Sequence, residues 1–228
     1  DNLISAFNAL GYTTSVFKLN AADYGVPQKR HRIFIVGNKL NVNIEQPPAT
    51  HEGKWITSEE ALGDMNDTTV EGTGDYLSSP QSDYQKIMRK LKRSKYSLHL
   101  TPYASKKDAE LITYIPPGGN YQNVPDNVAT KRILNFKATG GRTTTYGRLK
   151  ADETAYTLNT HFNRLNVGCN IHYKFPRLIS LREGLRIQSF PDDFEVVSSN
   201  KRNFYVQIGN AVPPLLGKAW AKHLLNFF

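Results

Sequence analysis

The stretch RLISLREGLRIQSFPDDF, Arg177 to Phe194, constrains the fold more than any other part of the chain because both ends of a helix are written into it. Ser180 and Glu183 form a Ser-x-x-Glu capping box, in which the hydroxyl accepts from the Glu183 amide and the carboxylate reaches back to the Ser180 amide. Pro191 lacks an amide hydrogen and pushes Phe190 out of the α region, which holds the helix to about two turns. Gly184 inside it costs roughly 1 kcal/mol relative to Ala, a cost most simply explained by another backbone packed against the face carrying Leu181 and Leu185. The stretch is expected to be a structural hub.

A hub needs a core around it, and 228 residues with 39% hydrophobic content supply one for one or two domains. No run approaches the ~18 apolar residues of a membrane helix, and no basic and apolar leader opens the chain. Cys169 is the single cysteine, which excludes an internal disulfide framework and a cysteine-based zinc cluster. A reducing, cytoplasmic setting is favoured, and no metal site is expected. Net charge is +9, but residues 41–80 hold one basic and eight acidic side chains, whereas residues 81–150 hold 14 basic and four acidic. Such a local excess draws polyanions and binds phosphates in a salt-dependent way, so DNA or RNA is the leading partner, with a plain solvated face as the alternative.

Ahead of the hub, Leu3, Ile4, Phe7 and Leu10 recur at helical spacing and Gly11 suits the C-terminal cap, which predicts a helix over 1–10. Tyr12 to Lys18 and Arg30 to Val36, rich in β-branched and aromatic residues, predict a hairpin joined through AADYGVPQ. Asn, Pro and acidic residues up to about Ser79 read as a connector with one short helix at 57–62, opened by a Thr57/Glu60 capping box. Ser79 and Pro80 suit the N-cap and N1 of a helix through about Lys95. Tyr84, Ile87, Met88 and Leu91 would be its core face, with Lys86, Arg89, Lys90, Lys92 and Arg93 around the rest. ITYIPPGGN, Ile112 to Asn120, is turn-forming, and GGRTTTYGRLK, Gly140 to Lys150, either presents side chains to base edges or turns a hairpin. From Phe204 a strand leads into a turn at Gly209 to Pro214. A last helix follows, with Leu215, Leu216, Ala219, Trp220, Leu224 and Phe227 on one face.

Two short patterns bear on chemistry. In QKRHRIF, Arg30 and Arg32 are two apart on a predicted strand, so both guanidiniums leave one face about 7 Å apart, calling for anionic partners or forming surface ion pairs; His31 points the other way and is structural. In QIGNAVPP, Gly209 permits a sharp turn, Asn210 offers a donor and an acceptor, and Pro213 with Pro214 preorganises the next helix, an arrangement suited to a small carboxylate or amine or to an ordinary connection.

Three stretches, in order and far apart, resemble the DNA (cytosine-5) methyltransferases: GVPQKRHRIFIVG (Gly25 to Gly37) the eighth conserved motif, Arg177 to Phe194 the ninth, and QIGNAVPP (Gln207 to Pro214) the tenth. PQSDYQ, IPPGGN and YGRLKADETAYTLNT are similar to stretches upstream of the ninth motif, and Thr157 with Leu158 matches the threonine-aliphatic pair of the recognition domain. The resemblance implies an α/β fold: the C-terminal part of a Rossmann-like class I methyltransferase domain with an inserted small, mixed target recognition domain. Residues 1–37 would end the catalytic domain, 38–176 would be connector and recognition domain, and 177–228 would return to the catalytic domain. It implies a substrate, double-stranded DNA, whose flipped cytosine receives at C5 a methyl group from S-adenosyl-L-methionine. Carried over by position, Arg32 helps hold the pyrimidine, Arg30 lies beside it and the DNA, and Gln28 and Lys29 belong to the same match. Asn210, Ala211 and Val212 would line the cofactor pocket, and Arg142, Thr143, Thr144, Tyr146, Arg148 and Thr157 would contact DNA.

The family's Pro-Cys nucleophile, its Glu-Asn-Val motif and its glycine-rich cofactor loop have no match here; Cys169, in VGCNI, reads as a small buried residue. The expectation is therefore an enzyme active only when completed, either as a fragment of a longer methyltransferase or as one subunit of a split one, with the N-terminal half as partner. Bacterial relatives commonly accompany a restriction endonuclease. A non-catalytic DNA-binding module and a relative acting on tRNA remain as alternatives.

Overall fold

In the computed structural model, which describes residues 2–91, 94–197 and 200–227, the hub helix forms where its capping box places it. It runs Leu181–Ile187, with Ser180 Oγ accepting from Glu183 N at 3.1 Å and Glu183 Oε2 accepting from Ser180 N at 2.7 Å. All seven of its residues are buried, Arg182, Glu183 and Arg186 included. Buried charges survive only when paired and hydrogen-bonded. Arg186 grips Asp192 with two bonds of 2.5 Å, donates to Asp64 at 2.8 Å and to Ala61 O at 2.7 Å. Glu183 takes both prongs of Arg177 at 2.9 Å. Burial alone would raise the Glu183 carboxyl; the nearby His172 and Arg177 instead hold it well below the usual carboxylate range, and of these only Arg177 is charged at neutral pH. Gly184 has a different reason from the one expected: a Cβ there would lie 2.8 Å from Phe162 Cζ, so an aromatic ring, not backbone, claims the space.

Around this helix the chain runs α1 (Asn2–Ala9), β1 (Thr13–Asn20), β2 (Gln28–Lys29), β3 (His31–Asn38), α2 (Ser58–Leu62), β4 (Gly74–Asp75), α3 (Asp83–Met88) and β5 (Lys95–Tyr96). Then come α4 (Lys106–Thr113), α5 (Lys131–Thr139), β6 (Gly147–Arg148), β7 (Ala155–Tyr156), β8 (Cys169–Ile171), the hub as α6, α7 (Lys201–Asn210) and α8 (Pro214–Leu224). The fold is mixed α/β, and among the described residues every sheet has two strands: β1 with β3 and β4 with β5 antiparallel, β2 with β7 and β6 with β8 parallel. The first pair is the expected hairpin, in register from Thr13↔Asn38 to Asn20↔His31, and Phe17, Phe34 and Val36 pack with Trp220 of α8 in one apolar cluster. A second cluster, Leu111 to Leu178, is built from the middle of the chain; the largest gathers α2, α3 and α6 with Leu158, Phe162 and Ile208.

Several expectations change. Residues 204–208 are helix, not strand: Phe204, Tyr205 and Ile208 meet the main core at i, i+1 and i+4, and the short run FYVQI carries no period strong enough to resist. The helix expected over 79–95 is α3 alone, capped by Ser82, whose hydroxyl accepts from Gln85 N at 3.1 Å. Tyr84 and Met88 are buried, but Ile87 and Leu91 are half exposed or more; Lys92 and Arg93 lie outside the described residues. The 38–79 connector is part of the core, supplying Ala61, Leu62, Met65 and the buried Asp64, while its Thr57/Glu60 capping box forms as expected.

Replacing Arg186 by Met leaves Asp192 buried without its cation and Asp64 with Arg89 alone, and a loss of about 3–5 kcal/mol in urea unfolding is expected. Burial also brings His172 down to about 4 and lowers His99. The unfolded chain protonates both near 6.5, so it binds more protons than the native state below that pH. Stability therefore falls with acid, by about 2 kcal/mol for His172 alone between pH 7 and pH 5; His172→Asn should flatten that slope.

Candidate functional site

The short strand pair β2–β7, with Gln28 opposite Ala155 and Lys29 opposite Tyr156, draws the first and middle parts of the chain to one point. Gln28 is fully buried there. Its Oε1 accepts from Leu158 N at 2.8 Å, and its Nε2 donates to Ile187 O at 3.3 Å and to Gln188 Oε1 at 3.1 Å. Arg30, 2% exposed, donates through Nη1 to Leu158 O at 3.0 Å and through Nη2 to Gly209 O at 2.7 Å and Ala211 O at 3.3 Å. Its Nε has no partner. These acceptors are backbone carbonyls rather than carboxylates, and Gly209 O belongs to the last turn of α7, with Ala211 O just beyond it, where the helix leaves carbonyls unpaired and favours a cation. Burial, with Arg32 nearby, lowers the Arg30 guanidinium to about 10, so it stays charged at neutral pH.

Arg30 and Arg32 do not act as a matched pair of free forks. Arg30, just before β3 opens at His31, is buried. Arg32 is exposed, its Nη1 donating to His31 O at 2.7 Å, and His31 is exposed beside it. Nor is Gly209 a turn residue: it lies in the last turn of α7, where a Cβ would meet Asn159 C and O and Thr160 N at 2.6 Å. Absence of a side chain is what lets α7 close on that backbone. After it, Asn210 is exposed, Ala211 half-buried and Val212 62% exposed, while Pro213 and Pro214 open α8. Arg30 thus fixes the carbonyls of a turn that offers an amide side chain and an apolar one, a donor and surface set that fits one wall of a pocket for a zwitterionic amino-acid ligand.

Beside this junction lies a cleft of about 430 Å³ whose lining includes Lys29, Arg132, Arg142, Thr144, Thr157 and Asn159 and no carboxylate. Thr157 Oγ1 donates to Lys29 O at 2.6 Å, tying the cleft wall to β2. A smaller cleft of about 250 Å³ shares Thr144 and Tyr156 with it and adds Thr143 and Lys150. The other two expected DNA contacts serve the fold as well, and Arg148 also lines the smaller cleft. Tyr146 is 5% exposed at φ 55° in the second apolar cluster, and Arg148 donates to Ile115 O, His172 O and Lys174 O at 2.9, 3.0 and 3.3 Å. Cys169, in β8, is buried, and burial pushes its thiol up to about 12, far from a reactive thiolate. Among the described residues no group of three or more His, Cys, Asp or Glu stands ready to hold a metal ion, and no helix is long and apolar enough to cross a membrane.

Gln188, Arg132 and Asn159 were not legible as site residues. Gln188 follows the hub helix with nothing in its spacing to show that both ends of its amide are bonded, and Arg132 was one of many cations in a basic stretch.

Comparison with known proteins gives these positions a context. The family C-5 cytosine-specific DNA methylase matches residues 1–226. The type II methyltransferase M.Eco47II of Escherichia coli is 34% identical over 229 residues, 95% of this chain and 48% of that protein. M.DdeI of Desulfomicrobium norvegicum is 30% identical over 251 residues, 100% of this chain and 58% of that protein. The chain thus spans about half the length of these relatives. A solved Escherichia coli structure, described as a prophage-encoded DNA modification methyltransferase, shares the fold with a TM-score of 0.70 over 97% of this chain and 63% of its own, at 24% identity.

Because the space at Gly209 is filled by backbone, Gly209→Ala is expected to lower stability by about 1–3 kcal/mol. Gly217→Ala on α8, where a Cβ meets nothing within 4 Å, should raise it by up to about 1 kcal/mol. Thermal unfolding of the two variants side by side checks both signs.

Proposed function

The chain belongs to the C-5 cytosine-specific DNA methylases, and we propose that it is the DNA-recognising part of an enzyme that methylates C5 of a cytosine extruded from a specific duplex sequence. The observation that carries this reading is the carboxylate-free cleft with Lys29, Arg132 and Arg142 on its walls, set directly against the Arg30 junction. In this reading residues 38–176 include the recognition domain, to which the second apolar cluster gives a core of its own. Residues 1–37 and 177–228 belong to the catalytic domain, and the packing of the β1–β3 hairpin on α8 supports that grouping.

Within the site, Arg142, Thr143 and Thr144 face the DNA, with Arg132 and Lys29 taking phosphates. Arg32 is the exposed fork available to the pyrimidine, while Arg30 and Gln28 hold the wall behind it. Asn210, Ala211 and Val212 hold S-adenosyl-L-methionine from one side. When bound, that cofactor supplies the methyl group. The nucleophilic cysteine comes from the remainder of the enzyme, because the Cys169 thiol is buried and protonated. That remainder also has a surface to cover here. No residue of α1 is buried, and Val16 and Ile35, paired across the hairpin, are 48% and 39% exposed with Ile33 at 71%. The buried thiol equally suits a non-catalytic DNA-binding module.

Methyl transfer to unmethylated DNA, measured for the chain alone and for the completed enzyme, separates these readings. Transfer is expected only from the completed enzyme; transfer by the chain alone would refute the assignment of Cys169. DNA binding with no transfer from either would leave the binding module. Arg32→Ala in the completed enzyme should lose turnover by at least ~100-fold while folding normally. Arg132→Ala and Lys29→Ala should each reduce the slope of log affinity against log salt by about one, and an unchanged slope would remove that residue from the phosphate contacts.

A further inference from the structure

Gln188 links two parts of the site that lie on opposite sides of it. Its Oε1 accepts from Gln28 Nε2 at 3.1 Å, and its Nε2 donates to Ile208 O at 2.6 Å. Gln28 continues the path, its Oε1 accepting from Leu158 N at 2.8 Å. A second path runs in parallel through Arg30, from Leu158 O at 3.0 Å to Gly209 O at 2.7 Å and Ala211 O at 3.3 Å. Arg30 Nη1 also donates to Gln28 Oε1 at 3.4 Å, so the two are cross-linked. One end of both paths is the segment after β7, whose Thr157 lines the cleft; the other is the turn that carries Asn210, Ala211 and Val212.

Gln28, Arg30 and Gln188 are 0%, 2% and 0% exposed, so none can touch a ligand. They are also poor choices as mere filler, because burying amides and a guanidinium costs more than burying apolar side chains of equal size. What they provide is direction. Each amide donates at one end and accepts at the other, and in a low-dielectric interior a shift at one bond is carried to the next.

We propose that Gln28, Arg30 and Gln188 are positioning residues that couple the turn at 210–212 to the wall of the cationic cleft, so that filling one site tightens binding at the other. The proposal rests on the cofactor and DNA assignments made above. A ligand seated on Asn210 to Val212 fixes the carbonyls of Gly209 and Ala211, which fixes the Arg30 fork and with it Leu158 and Thr157. Reciprocity follows: DNA in the cleft must tighten the cofactor by the same factor.

The test is calorimetric titration of the completed enzyme with S-adenosylhomocysteine, with and without saturating unmethylated genomic DNA. In the parent enzyme DNA should tighten S-adenosylhomocysteine roughly tenfold. Gln188→Met cuts the amide path and leaves the Arg30 path, so it should lower that ratio about threefold, and adding Gln28→Leu should take away little more, because both sit on one path. Thr57→Ala, which breaks a capping box on α2 and lowers stability without touching the path, should keep the full ratio. A parent enzyme without coupling, a folded Gln188→Met that keeps it, or a Thr57→Ala that loses it would each overturn the proposal while leaving the functional reading intact. Failure of the parent to bind either DNA or S-adenosylhomocysteine would overturn both.

Discussion

Arg30 is the tie on which the site depends. Its guanidinium holds the segment after β7 to the end of α7, two parts of the chain about fifty residues apart in sequence that also approach where Gly209 meets the backbone of Asn159 and Thr160 and where Phe162 meets Tyr205. Arg186 makes the contrast clear. Both guanidiniums are buried, but Arg186 is neutralised by Asp64 and Asp192, whereas Arg30 meets carbonyl and amide oxygens alone. A cation left without a counterion inside a protein is costly, and the C-terminal dipole of α7 offsets only part of that cost. Fork geometry explains the residue type: one planar group reaches Leu158 on one side and Gly209 with Ala211 on the other, which a lysine ammonium on a flexible stem does not do with fixed directions.

The hub helix supports this tie from below. Ile187 O and Gln188 Oε1, at its C-terminal end, receive the Gln28 amide, so the position of α6 sets the position of Gln28. The position of α6 is in turn set by ion pairs and charged hydrogen bonds rather than by apolar packing alone: Arg186 pairs with Asp64 and Asp192 and Arg177 with Glu183, while Arg182 donates to Ser97 O, Pro191 O and Phe194 O. Directional bonds of this kind fix one orientation of the helix where an apolar face would tolerate rotation and sliding. The α6 capping box is one strand of that net, because Glu183 serves both the Ser180 amide and Arg177.

What could be read from the sequence follows the range of the interactions. Both capping boxes formed as expected, since Ser180 with Glu183 and Thr57 with Glu60 are three residues apart and need nothing from the rest of the chain. The β1–β3 hairpin was legible for the same reason. The sequence pointed to Ser79 as the cap, and Gln85, buried under α2, gives that role to Ser82. FYVQI was expected as a strand, and contact with Phe162 and the main core makes it helix. The Gln28–Gln188 bond joins residues 160 apart, and no local pattern announces a buried amide pair. Family resemblance drew attention to segments that the structure brings together, without saying which side chains meet.

Charge shows the same gap between counting and placing. Fourteen basic residues between 81 and 150 suggest a broad positive face. Yet Lys86, Lys95, Lys107, Lys137 and Lys150 each stand beside a carboxylate, Arg89 pairs with Asp64, and Arg148 is turned inward to carbonyls. Exposed pairs of that kind add little stability but they do cancel local field. Among the described cations without a carboxylate beside them, Arg132 and Arg142 line the cleft together, joined by Lys29 from β2. Thr157 and Lys29 lock that cleft wall to the Arg30 junction, so this group of cations and the buried hydrogen bonds meet at one place.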